Sequence, residues 1–198
     1  MMKQARTLTD KELKRLLAVI AKRRYAERDR VMVLLTHLAG MRIGEVAALM
    51  IGDVLDRKGE IVSEIHLTPE QTKGKHTRTV VLSSRMRQEL MDYIAWWRSQ
   101  RSNQRTKDDE RSLPLFPTQK RSGFNANTAC YHLFMLYRDA GFDGASSHSG
   151  RRSFLTNLSH KAVPLKVMME LAGHRQAQTT MRYVNVTPDM KRAAVEQL

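Results

Sequence analysis

The last quarter of the chain gathers side chains suited to phosphate chemistry. His148 and Arg151 stand three residues apart in HSGR, His174 follows in LAGHR, and Arg182 and Tyr183 close the stretch nine residues later. Imidazole, guanidinium and phenol together fit a phosphodiester. A guanidinium fork donates paired hydrogen bonds to the non-bridging oxygens, and a phenol attacks phosphorus once a base or a positive field takes its proton. Each group alone has a plainer explanation. A histidine just after a glycine is commonly a helix cap, and a tyrosine at this spacing is commonly half-buried core. Two earlier stretches add cations. Arg42 precedes an apolar run, with Glu45 three residues on, and TKGKHTR carries Lys73, Lys75 and Arg78. Taken alone, Arg42 and Glu45 make a surface pair worth about a few tenths of a kcal/mol. The sequence has no tight Asp/Glu/His cluster at metal-ligand spacing, which agrees with chemistry that uses no metal or other cofactor.

These groups need elements to aim them. Thr9 and Glu12 form a capping box ahead of a helix with Leu13, Leu16, Leu17 and Ile20. Lys22, Arg23 and Arg24 follow, either as cations at the negative end of that helix or as contacts to phosphate. A second helix, with Val31, Leu34, Leu35 and Leu38, stops at Gly40. A third is expected with Ile43, Val46, Ala47 and Met50 on one face, which leaves Arg42 at the junction. After the polar turn Asp53 to Gly59, Ile61 to Leu67 reads as a strand with Ile61, Ser63, Ile65 and Leu67 on one side. Gly74 marks a tight turn, and Thr79 to Leu82 returns as a second strand, so Lys73 and Lys75 lie on a hairpin tip. Either could be its working lysine.

Ser84 is expected to cap a long helix whose Met86, Leu90, Tyr93, Ile94 and Trp97 form a core stripe. Arg101 to Ser112 reads as an exposed loop, and Leu113 to Pro117 as an extended apolar segment. Asn127 is expected to cap a helix with Cys130, Leu133, Phe134 and Tyr137, stopped by Gly141. The loop 141–147 then delivers His148 and Arg151 at a helix start, with Phe154, Leu155 and Leu158 on the buried side. Pro164 opens the next helix, with Val167, Met168 and Leu171 as its core face, and Gly173 ends it and aims His174. Thr179 and Thr180 start the segment bearing Tyr183. Thr187-Pro188-Asp189 begins a last helix, with Met190, Ala193, Ala194 and Leu198, that has little of its own chain to bury against.

The 198 residues suffice for one domain with a real core. Thirty-four Lys and Arg against 20 Asp and Glu leave a formal charge of +14, which points to a polyanion as partner. There is no long apolar span, no basic helix with a greasy face and no leader-like apolar start, so a membrane role is not expected and a cytoplasmic, nucleoid-associated location is. The single Cys130 has no partner for an internal disulfide.

Four stretches in order, AGMRIGEVAAL, TKGKHTRTVVL, HSGR and LAGHRQAQTTMRY, resemble the boxes of the tyrosine recombinase (phage integrase) catalytic domain. The likeness runs from about Thr9 to the end. Val81 stands where a proline is common, and Arg152 where a histidine is common. Only a short lead stands where most members carry a helical DNA-binding domain. The resemblance implies an α+β, mainly helical fold with a small antiparallel sheet on one side. Departing from the family pattern, the chain is expected to be one catalytic domain over residues 1–198, without a separate N-terminal DNA-binding domain. The resemblance implies a site-specific recombinase that breaks and rejoins double-stranded DNA through a 3′-phosphotyrosine intermediate. Tyr183 would be the nucleophile; Arg42, Arg151 and His174 would spread the transition-state charge; Lys73 would protonate the leaving oxygen. His148 would assist proton transfer or hold the phosphate, Glu45 would orient Arg42, and Lys75, Arg78, Arg152 and Arg182 would contact DNA. A homo-oligomer on DNA is implied, with the helix near 187–198 exchanged between protomers. Nearly the same residues would serve a type IB topoisomerase-like relaxing enzyme, and the fold without its chemistry would serve a DNA-binding accessory factor.

Overall fold

The computed structural model describes residues 4–100, 110–119, 122–184, 186 and 188–196. It is mainly helical, with one two-stranded sheet. Helix α1 (Asp10–Ile20) starts on the Thr9–Glu12 capping box and buries Leu13, Leu16, Leu17 and Ile20. It stops before Lys22, so those three cations follow the helix rather than end it. Arg23 pairs with Asp139 and Asp29. Helix α2 (Ala26–Leu38) is buried on nearly every side and is the central rod; it packs against α1 and against two later helices, Ser84–Ser99 and Ser149–His160. Its C-terminal turn closes at Gly40, in the left-handed region at φ 61.

The third helix is shorter than its apolar pattern suggests. Helix α3 (Ile43–Ala47) ends before Met50, which bridges instead to Pro114 and opens the single turn α4 (Ile51–Val54). Strand β1 (Glu64–Leu67) pairs antiparallel with β2 (Arg78–Val81), Leu67 facing Arg78 and Ile65 facing Val80. The expected strand loses its first half: Ile61 makes only a bridge to Leu55, and Ser63 is exposed. The connection is a ten-residue excursion with a 3₁₀ turn at Pro69–Gln71, not a tight hairpin. Its left-handed residue is Lys75, at φ 50, rather than Gly74.

Helix α5 (Ser84–Ser99) buries the Met86, Leu90, Tyr93, Ile94 and Trp97 stripe, but its cap is Ser83, one residue early, which accepts from the Met86 amide. Residues 101–109 of the polar stretch lie outside the described residues. Helix α6 (Ala126–Asp139) is capped by Asn125, not Asn127. Asn125 wins because Thr128, three residues on, completes a reciprocal box with it. Phe134, expected in the core, is exposed, because Leu133, Leu136 and Tyr137 already fill the inward face. Helices α7 (Ser149–His160), α8 (Leu165–Ala172) and α9 (Ala177–Met181) complete the site, and α10 (Pro188–Val195) closes the described chain. On α8 the buried face is Met168 and Ala172; Val167 is exposed. Thr187, Leu198 and the Met190 side chain fall outside what is described.

The apolar interior falls into two clusters. The large one joins α1 to α6 and the sheet; the small one is Leu155, Met168 and Ala172, with Phe154, Leu158, Val163, Tyr183 and Val184 packed around them.

Candidate active site

A cleft of about 990 Å³ opens between β2, the loop before it, the start of α3 and the end of α8. Arg42, Glu45, Lys73, Arg78 and His174 are among its lining residues. Glu45 is its hub. The carboxylate is 1% exposed and accepts from the Arg42 backbone amide at 2.9 Å and from Arg42 Nη1 at 2.8 Å. Arg78 Nη1 donates to Oε2, the oxygen that also accepts from the Arg42 amide. Burial pushes the Glu45 pKa up, but Arg78 and then Arg42 outweigh burial and hold it below the ordinary carboxylate range. Glu45 is therefore ionised and directs Arg42, whose side chain remains 35% exposed toward the cleft.

Arg78, expected to contact DNA, is engaged within the protein instead of standing free. Its side chain is 7% exposed and is occupied by Glu45 and by the Leu171 carbonyl at 2.8 Å. The strand register explains this: Arg78 shares a face with Val80, which is buried, so its side chain enters under α8. Gly173 makes room for it, since a Cβ there would lie 2.7 Å from Arg78 Cδ.

Arg151, from the first turn of α7, lies behind the cleft. It donates to the Gly40 carbonyl, to the Ala172 carbonyl and to His174 Nε2 at 2.9 Å. Gly40 serves this contact and close packing together, because a Cβ there would meet Phe154 Cδ1 at 2.4 Å. Burial, with Arg42 and Arg78 nearby, lowers the Arg151 pKa to about 9, so it stays cationic near neutrality. Burial first, and then Arg151, Arg42 and Arg78, pushes His174 down to about 4, so its ring is neutral there. The turn at Gly173, φ 62, sets His174 against Thr180, Nδ1 lying 2.9 Å from Oγ1. Tyr183 stacks on the His174 ring, centroids 6.1 Å apart and planes 16° apart.

Of the six expected groups, Arg42, Lys73 and His174 line the cleft, and Arg151 and Tyr183 reach it as contacts of His174. His148 is the N-cap residue of α7, exposed and one turn from Arg151; like Arg151 and Tyr183 it is not among the cleft-lining residues. Of the two hairpin lysines, Lys73 lines the cleft and Lys75 does not. Arg152, also expected on DNA, is turned away: it donates to the Ala5 carbonyl at 3.0 Å and to Gln4 Oε1, tying down the N-terminal lead. One residue past Arg151 on a helix, it points about 100° around the axis. Arg182 is exposed. His76, not singled out in the sequence, also lines the cleft; Thr180 belongs to the Thr-Thr pair noted before Tyr183, and its burial had no signal in the pattern. Among the described residues no group of His, Cys, Asp and Glu is placed to hold a metal ion. No described helix is long and apolar enough to cross a membrane.

The chain belongs to the phage integrase family, whose model matches residues 6–190. It is 29% identical to tyrosine recombinase XerA of Pyrococcus furiosus over 193 residues, covering 97% of this chain and 61% of that protein. The catalytic domain of bacteriophage HP1 integrase shares its fold with TM-score 0.66 and 21% identity, over 98% of this chain and 95% of that domain. XerH site-specific recombinase, solved bound to palindromic difH substrate after cleavage, shares it with TM-score 0.70 and 22% identity, over 98% of this chain and 53% of that one. The chain spans about three fifths of the length of the curated XerA relatives it matches.

Proposed function

We propose that the chain carries the chemistry of a site-specific recombinase acting on double-stranded DNA. The observation that carries this reading is the Tyr183–His174–Arg151 contact series at the back of a cleft walled by Arg42 and Lys73. Tyr183 attacks the scissile phosphorus and the bond to the 5′ oxygen breaks, leaving a 3′-phosphotyrosine. Lys73 protonates the departing oxygen. Arg42, directed by Glu45, and Arg151 with His174 take up the charge on the non-bridging oxygens. His148, exposed beside Arg151, assists proton transfer at the nucleophile or holds the phosphate. The covalent link conserves the bond, so a second 5′-hydroxyl reverses the step onto a new strand.

The formal charge of +14 supports a DNA partner, as do XerA and DNA-bound XerH among similar proteins. Lys75 and Arg182, both exposed, are the expected backbone contacts beyond the cleft. Residues 191–195 of α10 are all exposed, which supports exchange of the last segment, near 187–198, between protomers of a DNA-bound oligomer. Action on DNA implies a cytoplasmic, nucleoid-associated protein. The recombinase names of its relatives favour exchange over simple relaxation.

A nicked duplex built from DNA flanking the gene traps the intermediate. The wild type is expected to form a denaturation-resistant protein–DNA adduct and Tyr183→Phe none. An adduct formed by Tyr183→Phe would refute the mechanism.

A further inference from the structure

Arginine has only donors, so the 2.9 Å contact from Arg151 Nη2 requires a lone pair on His174 Nε2. The neutral ring then carries its proton on Nδ1, which donates to the Thr180 hydroxyl oxygen 2.9 Å away. Thr180 is fully buried, so bulk water does not compete for that bond. This tautomer is the wrong one for phosphate: a phosphate oxygen accepts hydrogen bonds, so His174 must carry its proton on Nε2 to serve it. Nδ1 would then be bare, buried and in need of a donor. A threonine hydroxyl accepts or donates by turning its O–H bond.

We infer that Thr180 is a positioning residue that lets His174 exchange tautomers, accepting from Nδ1–H while Arg151 fills Nε2 and donating to bare Nδ1 when a phosphate oxygen faces Nε2–H. The His174 ring is itself only partly buried, so it can shed the Nδ1 proton and take one at Nε2 from water in the cleft, and the net charge does not change. The ring keeps its plane, and with it the stack under Tyr183. The incoming phosphate also takes over the Arg151 N–H group that His174 releases, so one ligand satisfies both partners. The phosphate half of this inference rests on the proposed recombinase function; the starting tautomer does not.

The test reads the His174 ring nitrogens by ¹⁵N NMR, assigned against a His174→Asn spectrum, in wild type, Thr180→Val and Thr180→Ser. Before any anion is added, the wild type and Thr180→Ser are expected to show a protonated Nδ1 and a bare Nε2, and saturating inorganic phosphate to move the proton to Nε2. Thr180→Val is expected to lose the initial Nδ1–H preference. On the nicked duplex, Thr180→Val is expected to slow adduct formation on the order of tenfold, the scale at which outer partners of a functional histidine act. Thr180→Ser should restore the rate. A wild type with Nε2–H from the start, no proton shift with phosphate, or Thr180→Val matching the wild type in spectrum and rate would overturn the inference. The expected spectra with no wild-type adduct would instead defeat the recombinase reading alone.

Discussion

The candidate site is built from two regions of unequal support. Arg42, Glu45 and Arg78 rise from the large core, where a fully buried carboxylate is gripped by two guanidiniums from different elements. His174 stands on the turn between α8 and α9 and Tyr183 on the turn after α9, a region whose own interior has, among the described residues, three fully buried apolar side chains. Arg151 joins the two, reaching Gly40 on one side and Ala172 on the other. The difference matches the work each region is asked to do. Holding a phosphate calls for donors that do not move, whereas a nucleophile that forms and releases a covalent bond belongs to a segment with less to lose on shifting.

The largest expected effect lies in the first region. Glu45→Ala leaves Arg78 buried without its anion, which costs roughly 3–5 kcal/mol, the scale for breaking a buried ion pair. Denaturant unfolding followed by helix signal measures it, and a loss under about 1 kcal/mol would mean the pair is well solvated after all. Next comes acid sensitivity, with one histidine in each region. His37, buried in α2 against the Tyr137 hydroxyl, is lowered by burial from 6.5 to about 4. A folded value below the unfolded one means the fold favours the neutral ring. Its contribution is complete above about pH 6.5 and is lost as the pH falls toward 4, roughly 3 kcal/mol in all. His37→Asn should flatten that acid limb in the global unfolding curve. His174→Asn should flatten it only in signals from the α8–α9 region. Equal effects of the two variants on the global curve would erase the distinction between the regions.

The smallest global effect is expected from Met168→Ala, although Met168 is 1% exposed. A core truncation of this kind costs roughly 2–5 kcal/mol where the whole protein feels it. Here the loss is capped by the free energy of opening the small cluster alone. Amide exchange should quicken over 165–183 while α2 and α5 keep their protection. Loss of protection in α2 would show that the two clusters unfold as one.

Much of the architecture was legible because it is local. The Thr9 box, the Leu13 to Ile20 spacing, the Met86 to Trp97 stripe and the glycines at 40, 141 and 173 each act within a turn or two. The small slips are also local: Ser83 for Ser84 and Asn125 for Asn127 are contests between neighbouring caps, Ser83 accepting from the Met86 amide and Asn125 finding a reciprocal partner in Thr128. The cations were harder. Arg78 and Arg152 looked like Lys75 and Arg182, four positive side chains near the expected site. Only the first two are consumed inside the protein. Strand alternation with Val80 would have turned Arg78 inward, but nothing nearby shows that Glu45 and Leu171 wait there.

By itself, then, the order of residues determined where the chain coils, where it turns and which groups are suited to phosphate chemistry, since caps, periodicity and glycine conformations depend on neighbours a few positions apart. Only the tertiary structure decided which charges are spent and which remain open to the cleft. Arg78 meets a carboxylate 33 positions away and Arg151 a carbonyl 111 positions away. The electrostatic state of a side chain depends on who surrounds it in space, and contacts at that separation exist only once the core has closed.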